Sequence, residues 1–200
     1  MTLTLPLVRH GAILTLDPNT SAPLGTIMFQ YNPETLTRSL KAQPVGDQPD
    51  RTEILRLKGP AIETIRGDVE IDATDQLAVS DPVAMSLGIG PQLSALELLV
   101  YPSSQTLIAN ENLSESGTLE ILPMDSALTV FAWNRNRITP VRITDIEITE
   151  QWFDRQLNPV RAKVTLNMRV LNINDVQFVS PAGGLYMAYQ IAKEAMAAQA

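Results

Sequence analysis

Residues 160–171 alternate strictly between apolar and polar, and no other feature restricts the fold of this chain so tightly. Ala162, Val164, Leu166, Met168 and Val170 fall on one face; Arg161, Lys163, Thr165, Asn167 and Arg169 fall on the other. A period of two over this length means a strand with one face buried and one wet. The run before it, 137–152, also alternates, but with a slip. Val141 and Ile143 share one phase, whereas Ile146 and Ile148 take the other. One extra residue reverses the phase and bends a strand, so a bulge is expected at Thr144-Asp145. The polar run 153–159 joins the two as a turn. Arms of about a dozen residues reach roughly 40 Å, well beyond the usual strand of about 5–6 residues. Such a hairpin suits a barrel, or a wall shared between protomers, better than a small sandwich.

The remaining composition narrows the class. Two hundred residues, 44% hydrophobic, suit one folded domain with an appended segment. We place the boundary at 172, with a β domain over 1–172 and a segment with a helix over 173–200. The net charge of −7 argues against nucleic acid as a partner, because phosphate binding needs a basic field. With no cysteine, disulfides and thiolate chemistry are excluded. The N-terminal residues lack the basic start and apolar core of a signal peptide, and no apolar run is long enough for a transmembrane helix. Cytoplasmic synthesis without direct membrane insertion is the expectation.

Along the chain, 1–16 reads as a strand or packing arm, 17–23 as a turn, and 25–31 as a strand stopped by Asn32-Pro33. A loop is expected over 43–50 and strands over 51–58 and 61–71, with Ile62, Ile65, Val69 and Ile71 apolar in the second. Residues 72–90 read as an irregular loop. The best internal helix is 91–101, with Leu93, Leu96, Leu99 and Val100 at helical spacing and Pro91 in its first turn. A weak strand is expected at 117–122. From Pro181 a second helix follows, with Leu185, Ala188, Tyr189, Ala192 and Met196 as its apolar stripe. The fold class is mainly β (α+β): a barrel or sandwich with a long hairpin, one internal helix and a C-terminal helix.

Residues that could carry chemistry are few. His10 is the single histidine, so a Ser-His-Asp arrangement would have to run through it. Its place between Arg9 and Gly11 in an N-terminal arm favours a bland role. Asp68, Glu70 and Asp72 alternate on one strand face and Asp75 follows; carboxylates can hold a hard cation such as calcium. No glycine-containing ligand loop accompanies them, and a solvated acidic face is the plainer reading. Gly88-Ile89-Gly90 lacks the lysine and hydroxyl of a phosphate-binding loop. Trp133 and Trp152 flank the first arm and could stack on sugar, although packing or interface roles suit them better. Arg161, Lys163 and Arg169 form a basic stripe, either an exposed strand face or a wall against a channel or neighbour. No enzyme, cofactor or metal site is expected.

Three motifs, in order, resemble one family. The first is Ile27-Met28-Phe29-Gln30-Tyr31-Asn32-Pro33-Glu34. The second is Val130-Phe131-Ala132-Trp133-Asn134. The third, over 138–164, contains Phe153-Asp154, Leu157-Asn158-Pro159-Val160-Arg161-Ala162-Lys163-Val164. Together they are similar to the tube and tube-adaptor proteins of contractile injection systems, which are phage-tail-like particles, some of them extracellular. The resemblance spans 25–171. It implies a phage-tail-tube-like β-barrel or sandwich assembled as a hexameric ring in the baseplate. Such a ring would connect the spike or hub complex to the inner tube and touch other baseplate proteins. It further implies that the hairpin is the wall of a channel, with Arg161, Lys163, Arg169, Trp133 and Trp152 as wall or assembly residues. Asp154, Asn158 and Pro159 would shape its tip. The typical adaptor carries a LysM-type module, where this chain has an alanine-rich helix, and the family's Trp-Gly pair is Trp133-Asn134 here. Two other readings remain: an inner tube protein proper, and a stand-alone β-barrel that closes round a small ligand.

Overall fold

The computed structural model describes residues 10–44, 56–115 and 127–200. Its strands are β1 (Ala12–Leu16), β2 (Pro23–Met28), β3 (Leu36–Lys41), β4 (Ile62–Asp72), β5 (Leu128–Asn134), β6 (Arg137–Phe153) and β7 (Pro159–Val170). The helices are α1 (Thr74–Ala78), α2 (Pro82–Leu87), α3 (Gly90–Glu97), α4 (Ser104–Glu115) and α5 (Pro181–Ala197). The strands form one antiparallel sheet in the order β2-β1-β5-β6-β7-β4-β3. The fold is therefore mainly β, as expected.

The long hairpin is β6 and β7, at the middle of the sheet. The whole apolar face of β7 is sealed: Ala162, Val164, Leu166, Met168 and Val170 are all buried. The β6–β7 register shifts between Ile143 and Asp145, at the expected bulge. Thr144 sits in the shift and its hydroxyl donates to the carbonyl of Asn167 at 3.0 Å. The extra residue lets Ile143 and Ile146 both face the core despite their opposite sequence phase.

The closed barrel does not form: the sheet is open, with β2 and β3 at its edges. It is nevertheless strongly curled. Met28 ends β2 at one edge, yet Tyr31 bridges Glu70 of β4, near the other edge. The three steps between them span at most about 11 Å, whereas five strand spacings in a flat sheet cover about 24 Å. The sheet must bend until its edges approach. Gln30 laces the gap with its side chain: Nε2 donates to the Asp72 carbonyl at 2.7 Å, and Oε1 accepts from the Asp72 amide at 2.9 Å. Asn32-Pro33 keeps this crossing from continuing as a strand, because proline has no N–H to give the ladder.

The concave side holds the core. Ile13, Phe131, Ile65, Val69 and Val141 meet the buried face of β7, and Ile89, Leu93 and Leu96 cover them. Each large side chain fully buried there contributes about 1.5–3 kcal/mol. A smaller cluster of Leu128, Val130 and Ala182 attaches the start of α5 to the opposite face of β5.

Several elements differ from expectation. The stretch 72–90 is not an irregular loop but holds α1 and α2. Asp81 caps α2, its carboxylate accepting from the amides of Val83 and Ala84, and Pro82 takes the first turn. More than one internal helix is thus present. α3 stops at Glu97 rather than 101, although Leu93 and Leu96 are buried as its spacing requires. The strand at 25–31 runs as Pro23–Met28. β3 was not anticipated. Residues 104–115 are helical, with the Ser103 hydroxyl accepting from the Thr106 amide at 3.2 Å. The strand expected at 117–122 lies outside the described residues, as do 1–9 and 51–55; within 56–58 only an isolated Pro44–Leu57 bridge is seen. In α5 the buried stripe is Ala182, Tyr186 and Tyr189, while Ala188 and Met196 are exposed. Tyr189 is buried as expected, and the buried Tyr186, outside the expected stripe, turns the helix toward its own side.

Candidate functional site

The outer face of the hairpin is built by register. β4 runs antiparallel to β7 with Glu70 opposite Lys163 and Asp72 opposite Arg161. This sets the carboxylates of Asp68, Glu70 and Asp72 beside the basic stripe. The pairs then form diagonally: Arg161 Nη2 lies 3.0 Å from Glu70 Oε2, and Lys163 Nζ lies 3.0 Å from Asp68 Oδ2. Thr165 donates to the second oxygen of Asp68 at 2.8 Å. That bond, with Lys163, holds the Asp68 carboxyl below its ordinary range. Arg169 pairs instead with Asp175 at 2.6 Å. These pairs are partly exposed and contribute about 0.2–1 kcal/mol each. Arg161 and Lys163 thus form one ionic ladder with Asp68, Glu70 and Asp72, and Arg169 stands outside it. No group of three or more metal-ligating side chains occurs among the described residues.

The tip is a rigid knot. The Asp154 carboxylate accepts from the amides of Gln156 and Asn158, each at 2.8 Å, and from Asn158 Nδ2 at 2.8 Å. The bond from the Asn158 side chain is the main reason its carboxyl titrates below the usual range. Asn158 also donates to the Ser86 carbonyl at 3.0 Å, and the Pro159 carbonyl accepts from the Ile89 amide at 2.9 Å. The hairpin end is therefore fastened to the α2–α3 junction. The approach is close enough that a Cβ at Gly88 would lie 2.1 Å from the Pro159 oxygen, and Gly88 has a φ of +58°. Only glycine accepts both conditions.

Around this knot large apolar side chains stand exposed among the polar Gln151, Arg155 and Gln156. Trp152 is 62% exposed, Phe153 52% and Leu157 79%, and Met85 and Leu87 of the adjoining α2 are also more than half exposed. Trp152, next to last in β6, and Leu157, in the turn, hold positive φ values of 53° and 66°. The Arg161 guanidinium lies 5.2 Å from the Trp152 ring. Trp133, by contrast, is half-buried and stacks on Phe131 with centroids 6.1 Å apart. Trp133 thus sits apart from the tip, while Trp152, Asp154, Asn158, Pro159 and Arg161 come together there. His10 is exposed and makes no hydrogen bond or ion pair among the described residues.

One polar cluster escaped the sequence reading. Glu63 is only 3% exposed. Its carboxylate accepts from Arg38 Nε at 2.8 Å, Tyr189 Oη at 2.9 Å and Lys193 Nζ at 2.8 Å. Burial pushes its pKa up, but the bonds from Lys193 and Arg38 outweigh burial and leave it below the ordinary value. Burial and the Glu63 charge push Tyr189 up to about 12. The signal was present: Glu63 occupies the inward phase of β4 with Ile65 and Val69, and a charge there demands partners.

No family model matches the chain, and no curated protein matches it. Among solved structures, a chain of the "Virion of native gene transfer agent (GTA) particle" is similar over 80% of this chain and 90% of that one, at 12% identity and a TM-score of 0.29. A likeness at that level carries no argument about function. No helix among the described residues is long and apolar enough to cross a membrane.

Proposed function

We propose that this chain is a non-catalytic structural subunit of a phage-tail-like particle. In the finer reading it is a tube-adaptor ring of a contractile injection system, made in the cytoplasm and built into the baseplate between spike complex and inner tube. The observation that carries the reading is the hairpin end. Trp152, Phe153 and Leu157 are held out by a rigid turn, beside the exposed Met85 and Leu87. Monomeric proteins seldom present large apolar side chains in such groups unless a partner covers them. The three sequence motifs support the reading, since the tip and both arms lie within them. The paired ionic face would then line the channel, and the tip would meet a neighbouring subunit. The chain, on this reading, needs no cofactor and binds neither nucleic acid nor membrane.

Native mass measurement and negative-stain imaging of the full chain, alone and with co-expressed tube and spike proteins, test this. Closed rings, six-fold in the finer reading, are expected. Leu157→Glu should abolish them while leaving the monomer folded, because that side chain is already in water. A strictly monomeric protein under every combination, or rings indifferent to Leu157→Glu, overturns the reading.

A further inference from the structure

A second surface feature lies away from the hairpin tip, where α5 crosses the β5–β6 turn. A pocket of about 100 Å³ opens there, lined by Arg38, Arg137 and Lys193, together with Asn134, Asn136 and Tyr189. Its charge is unbalanced. Three cations converge on it, and the carboxylate that pairs with two of them, Glu63, lies buried behind. Arg137 has no ion-pair partner among the described residues. Such a surplus of positive charge is out of keeping with a chain of net charge −7.

The cations are also well placed to act. Arg38, Arg137 and Lys193 are all half-buried, so their fields are less screened than those of a free surface side chain. Arg38 is fixed by Glu63 and by its bond to Tyr189 Oη at 3.2 Å, and Lys193 lies 4.0 Å from the Tyr189 ring centroid. Neutral donors stand at the rim: the Asn136 amide has only a weak contact, at 3.5 Å, with Met196 Sδ. A guanidinium fork matches the paired oxygens of a carboxylate or phosphate. The pocket is small, about 100 Å³, and suits a single such group.

We infer that this pocket is a binding site for a single oxyanion group, a phosphate or a carboxylate, with Arg137 as its principal free donor. The inference is independent of assembly, because the pocket is complete within one chain. NMR titration of the full chain with inorganic phosphate and, separately, acetate, at constant ionic strength, tests it. Saturable shifts are expected at Asn134, Asn136 and Arg137. Arg137→Gln should weaken binding about tenfold or more, the usual scale for a bond to a charged group, without lowering the thermal midpoint. Saturation by phosphate alone would identify the natural guest as a phosphate-bearing small molecule. Saturation by both anions would support the inference and admit a carboxylate as well as a phosphate. Absence of saturation with both anions, or binding unchanged in Arg137→Gln, overturns the inference.

Discussion

At the residue scale, the consequential side chain is Glu63. Its folded pKa is depressed, since Lys193, Arg38 and Tyr189 together outweigh the burial that opposes them. Its stabilising contribution is therefore complete above the ordinary glutamate value of about 4.3, and is lost as pH falls through the lower folded value. Glu63→Gln leaves Arg38 and Lys193 without their countercharge. We expect a loss of about 1–3 kcal/mol at neutral pH, at the modest end for a buried pair because both cations reach water. The acid limb of stability against pH should flatten in the same variant. Urea unfolding across that limb checks both; an unchanged limb would assign the acid sensitivity elsewhere. This residue was legible in principle. One charge in the buried phase of a strand is a stronger signal than the partly exposed alternation of Asp68, Glu70 and Asp72.

At the element scale, the phase slip in β6 makes a sharp prediction. Deleting Thr144 removes the bulged residue and leaves Ile143, Asp145 and Ile146 in unbroken alternation, so the inward set survives. Deleting Asn167, across the ladder, instead turns Met168 and Val170 outward relative to Leu166. Thr144 deletion should cost no more than about 1–2 kcal/mol, the price of a local repair, whereas deletion of Asn167 should prevent folding, since buried side chains of about 1.5–3 kcal/mol each are expelled. Circular dichroism and denaturant titration of the two variants distinguish them, and equal damage in both would dismiss the bulge as a phase corrector. The hairpin was readable because period-two alternation persisted far beyond an ordinary strand. β3 was not, since Leu36–Lys41 is a short edge strand, largely exposed, and such edges carry little apolar pattern. The Asp81-Pro82 cap of α2 was written in the residues, but a helix of six residues has too few turns to show a period.

At the scale of the whole molecule, the curl of the sheet depends on a crossing that no ladder continues. Gln30 satisfies both backbone groups of Asp72 with one side chain, standing in for a strand that proline interrupts. Gln30→Ala should destabilise the fold by about 1–3 kcal/mol and raise hydrogen exchange at the Asp72 amide above that of its neighbours in β4. Unchanged protection at Asp72 would show that the edges hold together without it. The curl itself could not be read from the sequence, because alternation reports which face is buried and not how far a sheet bends. The contact between Gly88 and Pro159 has a different kind of consequence, one of inheritance. The Pro159 carbonyl occupies the space where a side chain at 88 would begin. Position 88 is therefore closed to every other residue for as long as the tip keeps its length and seat. A lineage that lengthened the turn would release that position, and one that altered the glycine first would lose the seat. Hairpin and helices, although far apart in the chain, can diverge only as a pair.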